Sequence, residues 1–170
     1  MNGRAAVAPI PPALLRDPGH CLALGCGSGL LRPAPGTWGT LVGVLCYWPL
    51  AGAPVALHAV LVALLFVLGV PLCGRTARAL GTHDHGGIVF DEIVGYLATV
   101  TFCSTGLSGA LLGFVAFRFF DIVKPWPVRL ADRRIGGGFG IMLDDLIAAV
   151  YAGATLELFE YLSFSYKLFQ

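Results

Sequence analysis

This 170-residue chain is short of charge. Charged residues make up 12% and hydrophobic residues 56%, with a mean hydropathy of +0.78. A soluble domain usually carries about twice that charged fraction. With so much apolar surface to bury, disorder is excluded. The net charge of +1 leaves no basic face rich enough to neutralise many phosphates, which argues against a nucleic-acid partner. Five cysteines (Cys21, Cys26, Cys46, Cys73, Cys103) show no C-x-x-C spacing, so neither a thiolate metal site nor a disulfide framework is expected. There is no internal repeat. Pro9, Pro11 and Pro12 interrupt any signal-peptide core, and residues 1–20 read as a flexible cytoplasmic tail. What remains is an all-α fold, a small polytopic membrane bundle over residues 21–170.

The charge-free stretches set the spans. No Asp, Glu, Lys or Arg occurs between Arg32 and Arg75, a gap of 42 residues that suits two spans and exceeds one. Val55 to Cys73, with His58 as its strongly polar side chain, is the firmest span. Trp38 to Leu50 is short, with Trp38, Tyr47 and Trp48 placed as interfacial anchors. A second gap, Ile93 to Phe117, covers 25 residues. As one span it would put Arg118, Lys124, Arg129, Arg133 and Arg134 opposite Arg75 and Arg78, against the positive-inside rule. As a helical hairpin turning at Ser104 to Gly109 it keeps the basic clusters on the cytoplasmic side, so the hairpin is favoured. A third apolar stretch, Leu146 to about Leu162, either spans or lies along the surface.

Ionisable groups gather where these stretches end. Asp91 and Glu92 precede one apolar run and Asp144 and Asp145 another, so both pairs also suit plain helix N-terminal electrostatics. Arg118, Asp121 and Lys124 fit that account poorly. On a helix they fall within an arc of about 120°, a plus–minus–plus stripe on an otherwise apolar segment that Pro125 and Pro127 must end. A salt-bridged structural stripe is one reading. The other is chemical, since carboxylates bind Mg²⁺ and Arg and Lys bind phosphate. Together they stabilise phosphoryl transfer at a membrane surface. The glycine-rich runs Gly25 to Gly29 and Gly136 to Gly140 lack dinucleotide or P-loop context and read as flexible loops, with a phosphate nest as the lesser reading.

Four blocks resemble the bacterial phosphatidylglycerophosphatase A family. They are Gly27-Ser28-Gly29 through Ala34-Pro35-Gly36-Thr37-Trp38-Gly39-Thr40, then His83 through Gly95, then Phe117 through Pro127, then Asp132-Arg133-Arg134 with Gly137 through Asp145. Phe90 stands where the family usually has Trp. The resemblance implies an inner-membrane, Mg²⁺-dependent lipid phosphatase with its active site facing the cytoplasm. Its substrate would be phosphatidylglycerol phosphate in the bilayer, and its products phosphatidylglycerol and inorganic phosphate. It assigns metal to Asp91, Glu92, Asp144 and Asp145, with Asp121 close by. It assigns the phosphate to Arg118 and Lys124, and phosphate or water orientation to Thr37. His83 or His85 is either the proton donor to the leaving oxygen or an ordinary exposed loop residue. Attack by water is preferred over an aspartate nucleophile. A membrane head-group transferase, a non-enzymatic membrane scaffold and a soluble helical relative are the alternatives.

Overall fold

A computed structural model describes residues 9–82, 85–101, 106–130 and 135–168. Every regular element among them is helical: α1 (Pro18–Ala23), α2 (Pro35–Tyr47), α3 (Val55–Leu80), α4 (Phe90–Val100), α5 (Leu107–Val123) and α6 (Gly137–Leu168), with short 3-10 turns at Pro12–Arg16, Gly25–Leu30 and Trp48–Leu50. The readings made on His83, Asp84, Cys103, Ser104, Thr105, Asp132, Arg133 and Arg134 lie outside the described residues.

The packing centres on α4. Nine of its eleven residues are buried, so neighbours hold it on nearly every side. Ile93, Tyr96, Leu97 and Val100 are buried among Tyr47 of α2, Ala110 and Phe117 of α5, and Ala148, Ala149 and Ala152 of α6. α2 runs parallel to α4, with Gly36 beside Glu92 and Gly43 beside Tyr96. α5 returns antiparallel, where Gly95 faces Phe117 and the Tyr96 hydroxyl donates to the Ala110 carbonyl (3.1 Å). α6 lies antiparallel to α3, with Gly138 against Val70 and Met142 against Gly69. The N-terminal ends of α2, α4 and α6 and the C-terminal ends of α3 and α5 therefore meet at one end of the bundle.

At about 1.5 Å per residue, α3 (26 residues) is near 39 Å long and α6 (32 residues) near 48 Å, against a hydrocarbon layer of roughly 30 Å. Val55–Leu80 and Gly137–Ser163 are long and apolar enough to cross a membrane. Most of α3's apolar surface faces outward, including Val60, Leu64 and Val67. The second charge-free gap is two helices rather than one, α4 and α5, as the hairpin reading expects.

Several expectations are corrected. The tail reading fails for residues 12–20. Asp17 accepts from the backbone N–H groups of Gly19 and His20 and so caps α1, and it pairs with Arg75 (2.6 Å). Tyr47 is no interfacial anchor. It is buried, edge-on to His58 and Tyr96, while Trp38 and Trp48 are exposed. Gly137 to Gly140 are helical, not a loop. A Cβ on Gly138 would lie 1.8 Å from the Val70 carbonyl oxygen, so glycine lets α6 cross α3 closely. The Gly25–Leu30 run is likewise ordered, as 3-10 turns. Cys21, Cys26, Cys46 and Cys73 are free thiols.

Candidate active site

Four helix ends supply the site. α4 begins at Phe90, which puts Asp91 and Glu92 in its first turn, where negative charge is favoured by the helix dipole. Asp91 is nonetheless buried, at 7% exposure. Asp144 and Asp145 are a different case. α6 starts at Gly137, so they sit two turns inside the helix, away from its N-terminus. The dipole explanation fails for them, and both are buried. Asp91, Glu92 and Asp145 each offer a carboxylate oxygen within 4.8 Å of the others.

The cations come from the end of α5. Arg118 Nη1 lies 2.5 Å from Asp121 Oδ2, one turn on, and 3.9 Å from Glu92 Oε1. α5 ends at Val123, as the two prolines require, and Lys124 takes a left-handed conformation (φ 46°, ψ 63°). That conformation costs an L-residue roughly 1–2 kcal/mol, a kind of strain that concentrates at functional sites. It carries the Lys124 side chain to α6, where its Nζ lies 2.5 Å from Asp144 Oδ2. The stripe of Arg118, Asp121 and Lys124 thus ties α5 to both α4 and α6.

Of the four residues expected to hold metal, the structure brings three together. Asp144 instead pairs with Lys124. Asp121, expected close to the metal, braces Arg118. Thr37 is half-buried in the first turn of α2, and its hydroxyl makes no hydrogen bond among the described residues. His85 is buried at 4% exposure rather than exposed in a loop, and its Nδ1 accepts from the Gly87 N–H (3.1 Å). Sequence reasoning passed over Gly36. A Cβ there would lie 2.3 Å from Glu92 Oε1 and 3.0 Å from Arg118 Nη1. The start of α2 therefore rests directly on this ion pair. The signal was present: a glycine just inside a helix, where a better helix former costs less, marks a close approach.

The residues fit Mg²⁺. Carboxylate oxygens are the hard donors it prefers, and an oxygen shell at 2.0–2.1 Å is about 4.2 Å across, close to the spread of the three carboxylates. Glu92 Oε2 and Asp145 Oδ2 are buried with no hydrogen-bond partner among the described residues, as is Arg118 Nε. Such groups cost about 1–3 kcal/mol each when left unpaired, so the site is built to receive polar ligands. Five carboxylates, those of Asp91, Glu92, Asp121, Asp144 and Asp145, also face two cations, Arg118 and Lys124. A divalent ion offsets most of that excess.

The profile of the family described as phosphatidylglycerophosphatase A matches residues 21–160. A phosphatidylglycerophosphatase A of Haemophilus influenzae is 44% identical over 155 residues, covering 90% of this chain and 95% of its own. One of Escherichia coli K12 is 41% identical over 143 residues, covering 84% and 83%. A Bacteroides thetaiotaomicron protein, provisionally named a phosphatidylinositol-3-phosphatase, is 33% identical over 139 residues, covering 77% and 86%. No solved structure matches. With its carboxylates and cations brought together from the matched segments, the chain belongs to the phosphatidylglycerophosphatase A family of phosphatases.

Proposed function

We propose that the chain is a Mg²⁺-dependent, multi-pass inner-membrane enzyme that removes the terminal phosphate of phosphatidylglycerol phosphate, with its site facing the cytoplasm. The observation that carries this reading is the convergence of Asp91, Glu92 and Asp145 within 4.8 Å beside the braced guanidinium of Arg118. Asp91, Glu92 and Asp145 would hold the ion, which when bound supplies Lewis-acid polarisation of phosphoryl oxygens. Asp121 fixes Arg118 so that its guanidinium meets the phosphate without reorganising. Asp144 holds Lys124 at the same mouth. A water oxygen forms the new P–O bond, the bond to glycerol breaks, and the leaving oxygen takes up a proton. The family relationship favours phosphate release to water over the transferase and scaffold readings.

Charge and length support the orientation. Arg75, Arg78, Arg118, Lys124 and Arg129 lie at the site end, and the turns at Gly52 and Gly106 carry no charge. Exposed Phe119, Ile122, Val123 and Trp126 bring apolar surface level with Lys124, so a lipid reaches the site without leaving the bilayer. The test is phosphate release from phosphatidylglycerol phosphate by the purified protein. Release with Mg²⁺ and loss in EDTA is expected, and undiminished turnover in excess EDTA overturns the metal assignment.

A further inference from the structure

Beyond the carboxylate site, the chain after α5 folds around a recess of its own. Pro125 and Pro127 end the helix, and residues 128–130 are helical again, with the Arg129 N–H donating to the Pro125 carbonyl (3.3 Å) and the Leu130 N–H to that of Pro127 (2.9 Å). The turn borders an open recess of about 450 Å³ lined by Val123, Lys124, Pro125, Trp126, Arg129 and Leu130. Among the described residues, two cations and no carboxylate line it. Lys124 belongs to both cavity and site, and Asp144 holds its charge. Arg129 is exposed and has no side-chain partner among the described residues. Its surroundings are apolar, with Trp126 77% exposed beside it, as a side chain at the membrane–water boundary would be.

The proposed substrate carries two phosphates. The terminal monoester is cleaved, and a phosphodiester lies across the glycerol on the acyl-chain side. With the monoester among Arg118, Lys124 and the carboxylates, the diester must sit between that site and the lipid. The recess adjoins that site through the shared Lys124 and has the exposed Trp126 on its wall. We propose that Arg129, on the apolar shelf of Val123, Trp126 and Leu130, binds the headgroup phosphodiester and so makes the enzyme select lipids with a second phosphate. A guanidinium suits this role, since its planar fork matches phosphate oxygens and is weakly hydrated. The proposal rests on the reading of phosphatidylglycerol phosphate as substrate.

The test compares the full-length protein with Arg129→Gln and Arg129→Lys in mixed micelles. Arg129→Gln is expected to raise KM for phosphatidylglycerol phosphate about tenfold, equivalent to roughly 1.4 kcal/mol. Its kcat and its inhibition by inorganic phosphate, a probe of the monoester site, should stay unchanged. Arg129→Lys should recover part of the loss. Glycerophosphoglycerol, the water-soluble headgroup bearing only the diester, should inhibit the unaltered protein and not Arg129→Gln. An unchanged KM overturns the proposal. So does a parallel weakening of inorganic phosphate, or equal diester inhibition of the two proteins. Failure of the underlying reading shows separately, as no phosphate release by the unaltered protein, and takes this subsite with it.

Discussion

Two pairs of adjacent carboxylates, Asp91-Glu92 and Asp144-Asp145, look alike in the chain and differ in the fold. Neighbouring residues on a helix point about 100° apart, so an adjacent pair does not naturally serve one point. The first pair overcomes this because glutamate is longer by a methylene and because Gly36 leaves room for the Glu92 carboxylate. Both members reach the cluster. The second pair has two short side chains and divides: Asp145 joins the cluster and Asp144 turns to Lys124. The same doublet is therefore two members of the carboxylate cluster on α4 but one member and one anchor on α6. A doublet of acids in a sequence fixes a neighbourhood, and the helix phase and side-chain length decide which member does what.

Asparagine is nearly isosteric with aspartate, so it separates these roles without disturbing packing. Asp145→Asn should lower kcat on the order of 10³-fold and raise the Mg²⁺ concentration needed for half-maximal activity. Asp144→Asn should cost less, about 10- to 100-fold, as loss of an orienting partner does. Its Mg²⁺ requirement should stay near that of the parent. A magnesium titration of both variants checks this. Equal shifts in the Mg²⁺ requirement would break the distinction and return Asp144 to the ligand set.

Gly36→Ala probes the side of the comparison that the first pair depends on. Alanine raises helix propensity by up to about 1 kcal/mol, so α2 itself should not suffer. The new methyl meets Glu92 and Arg118, however, and both must shift. An ångström-scale misplacement costs about 10²-fold in rate. Because the contacts are side-chain ends that can give, roughly tenfold is expected. The measurement is kcat beside the thermal midpoint: a fall in kcat with a steady midpoint supports the close approach, and unaltered kcat shows that the pair tolerates a methyl there.

Much of this architecture is legible in the charge pattern. The gap from Ile93 to Phe117 and the basic clusters beside it imply the α4–α5 hairpin, and Pro125 with Pro127 places the end of α5. The ion stripe and the acidic doublets mark the site on their own. What the sequence hides has physical causes. Asp17 looks like part of a proline-rich tail, because its cap and its partner Arg75 become neighbours only when α1 lies on α3. Gly138 sits in what looks like a loop, because a run of glycines carries no sign that a carbonyl of another helix will press on it. For that reason the pattern of residues puts the start of α6 after Asp145. The dipole explanation of Asp144-Asp145 fails only because the helix begins two turns earlier.

The smallest expected effect comes from an ion pair open to solvent. Asp17 and Arg75 approach to 2.6 Å, like Asp144 and Lys124, yet their side chains are 34% and 57% exposed against 6% and 25%. Water and salt screen the first pair and not the second. The His20 backbone N–H and the Arg75 guanidinium hold the Asp17 carboxyl below its ordinary value of 3.8. A group depressed on folding contributes stability that is complete above the ordinary value and disappears as pH falls through the folded one. An asparagine in place of Asp17 would still accept the capping hydrogen bonds, since asparagine caps helices as well as aspartate does. Asp17→Asn should therefore leave kcat unchanged and lower the thermal midpoint slightly near neutral pH. That difference should shrink in high salt and close as the pH drops below 3.8. Thermal midpoints of both proteins across pH and salt measure it. A loss of turnover matching that of Asp144→Asn would show that the exposed pair serves the site after all, and that burial is not what separates the two.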